Sequence, residues 1–207
     1  MTALDTETGD QRWRFYTDGP VRLAPAIWQG KVYFASDDGC MYCLDVEQGN
    51  LLWKQRAAPS QRKVMGNGRL ISVGPARGGP VVADGRVYFA AGVWPFEGIF
   101  VYALDAGTGD VIWMNDRCGS LYLTHPHGAP SFGGPAPQGY CLIQGDRLVV
   151  PSSRAFPAFF DLETGKLTKF AFGYAGHGSV PGGWFVASDA EGRLVVDPEI
   201  NLSLIHI

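Results

Sequence analysis

The chain has 207 residues, 46% of them hydrophobic and 18% charged, with a formal net charge of −3. This hydrophobic content excludes a wholly disordered chain, and the small negative charge gives no electrostatic reason to expect binding to nucleic acid or to an anionic membrane surface. No apolar run reaches the roughly 18 residues that a membrane-spanning helix needs, and the opening segment does not have the apolar stretch of a signal peptide.

An eleven-residue pattern recurs along the chain, beginning near its N-terminus. ALDTETGDQRW (3–13), CLDVEQGNLLW (43–53) and ALDAGTGDVIW (103–113) align without gaps, and FFDLETGKLTK (159–169) is a fourth copy that ends in lysine instead of tryptophan. The recurring residues are an aspartate, a glycine four positions later and a tryptophan after four more: Asp5, Gly9 and Trp13; Asp45, Gly49 and Trp53; Asp105, Gly109 and Trp113; Asp161 and Gly165. The aspartates are spaced by 40, 60 and 56 residues, so the sequence predicts a structural repeat.

A second block precedes the later copies of this pattern. It reads GKVYFA at 30–35, GRVYFA at 85–90 and, more loosely, GDRLVV at 145–150. These apolar and β-branched runs predict strands. The Asp-x-x-x-Gly segment predicts a tight hairpin connection, because the aspartate side chain accepts from nearby backbone N–H groups and glycine adopts the positive φ that closes the turn. Recurrence at equivalent positions is typical of turn construction and not of catalysis.

One repeat is therefore predicted to be a sheet of about four short antiparallel strands. Such a sheet cannot cover both of its faces, so it must stack on a neighbour, with the repeated tryptophan between them. Repeats of this kind that stack radially form a β-propeller. The predicted fold class is all-β, a partial β-propeller built of four-stranded antiparallel blades. A β-sandwich is the alternative, although it gives no reason for the pattern to recur at matched offsets.

The pattern G-[KR]-V-Y-F-A followed by Y-x-L-D-x-x-T-G-x-x-x-W resembles the pyrroloquinoline-quinone-type propeller repeat. That family includes quinoprotein alcohol dehydrogenases and the outer-membrane assembly lipoprotein that scaffolds barrel insertion. The resemblance extends from residue 3 to about residue 189. It implies a ring of seven or eight blades, of which this chain would hold about three to four, and a periplasmic or other extracytoplasmic location.

On this basis residues 1–201 are predicted to form an incomplete quinoprotein-like propeller. Its repeat units are expected at about 1–16, 17–56, 57–116 and 117–172, with a partial unit at 173–201. The chain starts within a repeat, so Met1 is expected to be an internal start, although a propeller can also lend an N-terminal strand to its last blade. The final LSLIHI (202–207) resembles a translated sequencing adapter and is predicted to be an artefact of a metagenomic fragment.

A dehydrogenase of this family would be expected to use an aspartate base, a calcium ion held by oxygen ligands and usually a disulfide between adjacent cysteines beside the quinone. The sequence contains no adjacent cysteine pair. Cys40 and Cys43 lie in a predicted strand with their side chains on opposite faces, and they are predicted to be packing residues. A disulfide between Cys118 and Cys141 stays open. Pyrroloquinoline quinone and calcium are expected only if the chain is part of a dehydrogenase.

Histidines supply a weak candidate metal site. His125 and His127 are two residues apart and would share a face of an extended chain, and with His177 they would suit zinc or copper. The alternative is that these loop histidines are simply solvated.

Three segments depart from the repeat, at 57–80, 92–98 and 115–138. Insertions in repeat folds usually project on one face, where binding occurs. Arg77, Trp94 and Arg154 are candidates to meet an anionic or planar ligand near the central funnel, because arginine pairs bidentately and indole stacks. The alternative is that these arginines form a solvated rim.

The favoured hypothesis is a binding or scaffolding propeller module with no catalysis assigned to these residues. The alternative is part of a quinone-dependent alcohol or sugar dehydrogenase, and a third hypothesis is a polysaccharide- or metal-binding propeller that uses the histidine cluster. The expected partners are the remaining blades of the same propeller and a protein or small molecule on the loop face. No nucleic-acid partner and no membrane span are expected.

Overall fold

A computed structural model of the chain describes residues 1–66, 68–125, 128–153, 155–172, 183, 185–189 and 191–196. In chain order the strands are β1 (Thr2–Leu4), β2 (Gln11–Arg14), β3 (Ala26–Trp28), β4 (Lys31–Ala35), β5 (Cys40–Asp45), β6 (Leu51–Arg56), β7 (Lys63–Gly66), β8 (Arg69–Ser72), β9 (Ala76–Ala83), β10 (Arg86–Ala91), β11 (Phe100–Asp105), β12 (Val111–Asn115), β13 (Leu121–Thr124), β14 (Pro130–Gly133), β15 (Gly139–Tyr140), β16 (Leu142–Gln144), β17 (Arg147–Val150), β18 (Ala158–Asp161), β19 (Leu167–Lys169), β20 (Val186–Ser188) and β21 (Leu194–Val196). One short 3-10 helix, η1 (Pro95–Glu97), lies between β10 and β11. In the described part of the chain, no helix has the length and apolar character needed to cross a membrane.

Three sheets share one plan, in which four consecutive strands pair antiparallel with their chain neighbours. We call them blade 1 (β3–β6), blade 2 (β9–β12) and blade 3 (β16–β19). Blade 2 carries a fifth strand, β15, which pairs parallel with β9. The hairpins β1–β2 and β20–β21 flank the three blades, and two further hairpins, β7–β8 and β13–β14, lie in the connections between blades. The predicted all-β architecture of four-stranded antiparallel sheets is therefore confirmed.

The Asp-x-x-x-Gly segments form the tight turns between the third and fourth strands. In blade 2 the Asp105 Oδ1 accepts from the backbone N–H groups of Gly107 and Thr108, both at 2.8 Å. Gly109 has φ +78° and donates its N–H to the Asp105 carbonyl at 2.8 Å. The hydrogen bond from Thr108 is the main cause that lowers the pKa of Asp105. The same aspartate-to-backbone bonds recur in the other copies, at Asp5, Asp45 and Asp161.

Each repeat tryptophan packs on the turn of the next unit. Its Nε1 donates to the carbonyl of the residue after the next unit's aspartate, and its ring covers the turn glycine: Trp13 to Val46 O at 2.9 Å over Gly49, Trp53 to Ala106 O at 3.2 Å over Gly109, and Trp113 to Leu162 O at 3.0 Å over Gly165. In the fourth copy Lys169 takes this position, and its Nζ lies 5.9 Å from the centre of the Phe159 ring. The indoles therefore fasten the first hairpin and the three blades in series.

Apolar side chains fill the space between successive blades. Adjacent residues of β10 point to opposite faces, so Phe89 packs between blades 1 and 2 whereas Tyr88 packs between blades 2 and 3. The rings of Phe89 and Tyr102 stack at 5.1 Å. Because both faces of blade 2 are covered, its central strands are buried along almost their whole length.

The up-and-down strand order sorts the connections onto two ends of the blades. One end, the turn face, carries the turns between the first and second strands and the Asp-x-x-x-Gly turns. The other end, the loop face, carries the loops between the second and third strands and the connections from one blade to the next. The segments at 57–80, 92–98 and 115–138 consist mostly of such loops and connections, so the irregular part of the sequence is concentrated on the loop face.

Candidate functional site

The loop between β4 and β5 places two carboxylates in the interior of the loop face. This loop, Ser36 to Gly39, closes with a hydrogen bond of 3.0 Å from the Gly39 N–H to the Ser36 carbonyl. Gly39 has φ +83°, and a Cβ at this position would lie 2.7 Å from the Ser72 Oγ. Glycine is therefore required both by the backbone conformation and by the close approach of the neighbouring connection. The two residues between them, Asp37 and Asp38, are buried.

Asp37 joins three segments of the loop face. Its side chain is 1% exposed, and it accepts from Arg22 Nε at 2.6 Å and from Arg77 Nε and Nη2 at 3.0 and 3.2 Å. Its backbone also accepts from the Ser72 N–H at 2.8 Å and donates to the Pro20 carbonyl at 2.9 Å. Arg22 precedes blade 1 and Arg77 opens blade 2, so one buried carboxylate holds successive units together.

Asp38 has a different set of partners. Its Oδ2 accepts from the Tyr42 hydroxyl at 2.5 Å and from the Asp18 N–H at 3.2 Å, and its Oδ1 accepts from the Cys40 N–H at 3.0 Å. Burial, together with the hydrogen bond to Asp38, raises the pKa of Tyr42 far above its usual value. Both aspartates thus have hydrogen-bond partners on both oxygens, as buried charges in proteins require.

A pocket of about 160 Å³ opens beside this loop, between blade 1 and the β7–β8 hairpin. Its lining combines cations with polar and acidic groups: Asp18, Asp38, Cys40, Lys54, Arg56, Gln61, Lys63 and Ser72. Lys54 Nζ lies 3.7 Å from the Asp18 carboxylate and 4.8 Å from the centre of the Tyr42 ring. The pocket is therefore a polar cleft with basic groups on its wall.

All four cysteines are buried free thiols. Burial raises the pKa of Cys40 and Cys43 to about 11, and that of Cys118 and Cys141 to about 12. Cys40 and Cys43 contribute to different hydrophobic clusters on opposite faces of β5. The disulfide considered for Cys118 and Cys141 is not formed, and both thiols pack in the core between blades 2 and 3. The alternating placement and the absence of thiolate character make these residues packing groups.

The structure describes three of the six candidate ligand-binding residues. Arg77 is occupied by Asp37, and Trp94 immediately precedes η1 in the loop between β10 and β11. His125 stacks on Phe172 with 4.4 Å between ring centres, and its buried Nε2 has no hydrogen-bond partner within the described part of the chain. The ligand role of Arg77 and Trp94 stays a prediction. Three of the candidates, Arg154, His127 and His177, lie outside the described residues.

The described residues do not fit the calcium site that a quinone cofactor would need. Calcium takes six to eight oxygen ligands. Within the residues that the structure describes, no group of three or more histidine, cysteine, aspartate or glutamate side chains could hold a metal ion. The buried carboxylates already serve arginine, tyrosine and backbone donors.

Sequence reasoning missed the central role of Asp37 and its partner Arg22. One signal was present: Ser36-Asp37-Asp38-Gly39 sets two consecutive acids between two apolar strands, VYFA and CMYCL. A pair of acids in so short a loop between buried strands predicts partially buried carboxylates, which need cationic partners.

Comparisons with known proteins agree on the fold. A family model described as outer membrane protein assembly factor BamB matches residues 1–196. The chain is 34% identical over 125 residues to the dehydrogenase subunit of alcohol dehydrogenase (quinone) from Gluconacetobacter polyoxogenes, and the match covers 55% of this chain and 16% of that protein.

Two solved structures are similar over most of the chain. BamB from Moraxella catarrhalis gives a TM-score of 0.60 at 18% identity, covering 97% of this chain and 55% of that one. Quinohemoprotein alcohol dehydrogenase from Comamonas testosteroni gives a TM-score of 0.61 at 18% identity, covering 93% of this chain and 35% of that one. At this identity the likeness shows the fold alone, and it confirms the predicted partial β-propeller. The chain spans only part of each of these proteins. With the family model matching almost its whole length, it belongs to the BamB-type, pyrroloquinoline-quinone-repeat family of β-propellers.

Proposed function

We propose that this chain is a binding and scaffolding module, a run of consecutive propeller blades that presents a rigid loop face to a partner. The observation that supports this best is the junction at Asp37. There a single buried carboxylate forms ion pairs with one arginine from the segment before blade 1 and with another from the first strand of blade 2. Such a buried, paired charge fixes the relative position of the connections, because breaking it would leave an uncompensated charge. A fixed arrangement of loops suits recognition.

The use of ionisable groups also supports a non-catalytic role for these residues. The two buried carboxylates of the loop face are satisfied on both oxygens, so neither is placed to take a proton from a substrate. The recurring turn aspartates bind backbone N–H groups on the opposite face. The four thiols have raised pKa values and are buried, which is unsuited to nucleophilic catalysis.

In this proposal the repeat units at 1–16, 17–56, 57–116, 117–172 and 173–201 are successive parts of one propeller. The remaining blades of that propeller are the first partners of the chain, because hydrophobic sheet faces are covered by neighbours in such folds. Family membership supports our proposal that the protein is periplasmic or otherwise extracytoplasmic. Residues 202–207, the proposed adapter artefact, lie outside the described residues.

Similarity to the quinone alcohol dehydrogenase subunit favours a second candidate, part of a quinone-dependent alcohol or sugar dehydrogenase. The test uses the natural full-length protein, incubated with pyrroloquinoline quinone and calcium and assayed by dye-linked oxidation of ethanol and glucose. A quinone alcohol dehydrogenase reconstituted in parallel is the positive control. We expect no turnover that depends on both additions. Oxidation that requires quinone and calcium together would overturn the proposal that the module is non-catalytic.

A further inference from the structure

A strongly basic segment of the chain runs through the loop face. Residues 48–83 contain six lysines and arginines and no aspartate or glutamate, although the whole chain has a net charge of −3. Three of the six have carboxylate partners: Arg77 with Asp37, Lys54 with Asp18 and Arg62 with Glu97. Within the described residues Arg56 and Lys63 form no ion pair, and both are exposed. The segment therefore presents positive charge that the protein itself does not neutralise.

The pocket beside Asp38 gathers this charge. Lys54 and Arg56 reach it from β6, and Lys63 reaches it from the first position of β7. Its volume of about 160 Å³ can hold about five water molecules. A carboxylate side chain therefore fits in it. Asp38 at its wall is already satisfied by Tyr42 and backbone donors, and Asp18 is paired with Lys54. Arg56 and Lys63 are therefore the groups with capacity for a new anion.

An exposed apolar pair continues this pocket along the β7–β8 hairpin. Met65 and Leu70 are cross-strand partners, and they are 72% and 59% exposed. Lys63 stands two residues before Met65 and therefore on the same face of the strand. Its cross-strand partner Ser72 also lines the pocket. The basic pocket and the apolar pair are thus neighbours on one face of the hairpin, because Lys63 and Met65 are about 7 Å apart along the strand.

We propose that this surface, formed by Lys54, Arg56, Lys63, Met65 and Leu70, binds an acidic segment of a partner protein in an extended conformation. Residues i and i+2 of an extended chain point the same way about 7 Å apart. An acidic side chain can then enter the pocket while an apolar side chain two residues away covers the Met65–Leu70 pair. Opposite charge steers the encounter and the apolar contact buries area. The inference rests on the proposed binding function and names its partner class.

The test uses a fluorescein-labelled ten-residue peptide with serine at every second position. Aspartate alternates with leucine or phenylalanine at the other positions, so acidic and apolar side chains two residues apart share one face. The peptide is titrated with the full chain and followed by fluorescence anisotropy. We expect saturable binding that weakens as salt is raised, because exposed charges are screened. A peptide with lysine in place of aspartate, and one with alanine in place of leucine and phenylalanine, are expected to bind at least about tenfold more weakly.

Surface variants locate the binding site. Arg56→Glu with Lys63→Glu, and separately Met65→Ser with Leu70→Ser, should each weaken peptide binding at least about tenfold. The matched control is the other inserted hairpin, β13–β14. Its cross-strand pair Tyr122 and Phe132 is also exposed, but the sequence from 118 to 146 contains no lysine or arginine. Its double serine variant should leave the affinity unchanged within about twofold. Far-UV circular dichroism checks that each variant keeps the β fold.

Several results would overturn the inference. These are no saturable binding, equal affinity for the lysine peptide, or affinity that is unchanged by reversal of Arg56 and Lys63. Analytical ultracentrifugation tests the alternative that a second copy of this chain occupies the surface. A dimer that is lost in the Met65→Ser, Leu70→Ser variant, with no peptide binding by the wild type, would assign the surface to another copy of the chain. Loss of peptide binding would overturn this inference alone, because the proposed non-catalytic function is tested separately by quinone- and calcium-dependent oxidation.

Discussion

The contact between Trp53 and the turn at Gly109 allows the stacking of blades 1 and 2 to be measured as an energy. Gly109 has φ +78°, and a Cβ built there would lie 2.7 Å from Trp53 Cδ2 and 2.9 Å from Cε3. Alanine at this position adds left-handed backbone strain of about 1–2 kcal/mol and overlap with the indole of about 1–3 kcal/mol. Gly109→Ala should therefore lower the free energy of unfolding by about 2–5 kcal/mol.

The first copy of the repeat supplies a matched control. Gly9 occupies the same turn position with φ +76°, but a Cβ there would have no atom within 4 Å. Gly9→Ala should therefore cost only the backbone strain, about 1–2 kcal/mol. The difference between the two alanine variants isolates the indole contact.

A double-mutant cycle completes this test. When Trp53→Ala removes the indole, Gly109→Ala should cost no more than Gly9→Ala, which gives a coupling energy of about 1–3 kcal/mol. The assay is urea denaturation followed by far-UV circular dichroism, since tryptophan fluorescence changes with the mutation itself. Equal costs for Gly109→Ala and Gly9→Ala, or an unchanged cost in the Trp53→Ala background, would refute the proposed stacking.

Three further variants or measurements test other parts of the structure. Asp37→Asn leaves two arginines without their buried partner and should lower the free energy of unfolding by about 3 kcal/mol in urea titrations; a loss below about 0.5 kcal/mol, usual for a surface change, would contradict this role. Backbone hydrogen bonds lower the pKa of Asp105 in the folded protein. The ionised Asp105 side chain therefore contributes its full stabilisation of the fold above the pKa of the unfolded chain, near 3.9, and this contribution is lost as the pH falls through the lower pKa of the folded protein. Asp105→Asn keeps the acceptor oxygen but does not titrate, and it should flatten the acid dependence of unfolding seen in wild type; an unchanged acid dependence would count against this. Burial raises the pKa of Cys118 and Cys141 to about 12, so a thiol-reactive disulfide reagent should modify them only on unfolding, and rapid labelling of the native protein would contradict their burial.

The regular part of the fold could be predicted from the sequence because its signals are local and repeated. GKVYFA and GRVYFA predict strands, and they form β4 and β10 with their preceding turns. The aspartate and glycine of each copy lie four residues apart, a spacing that a single turn explains without any long-range information. The tryptophan was informative because it recurs at the same offset, which predicts a shared contact between neighbouring units.

The irregular part could not be predicted in the same way. Arg22 and Arg77 are 15 and 40 residues from Asp37, and among the residues that the structure describes neither ion pair recurs in another unit. The hairpins β7–β8 and β13–β14 have short strands that interrupt the repeat, so no alignment between copies indicates them. The basic character of 57–80 was visible in sequence, but the pocket forms only when β6 and β7 come together.

The central claim is that each repeat tryptophan is hydrogen-bonded to the turn of the next unit. Hydrogen exchange of the indole N–H groups, followed by NMR, tests it directly. Trp13, Trp53 and Trp113 donate to backbone carbonyls of the following unit, whereas Trp94 lies in the loop before η1, outside the repeat, and is not fixed by a side-chain capping hydrogen bond to that helix. The three repeat indoles should exchange far more slowly than Trp94. Exchange of all four at the same fast rate would contradict the stacked-blade structure.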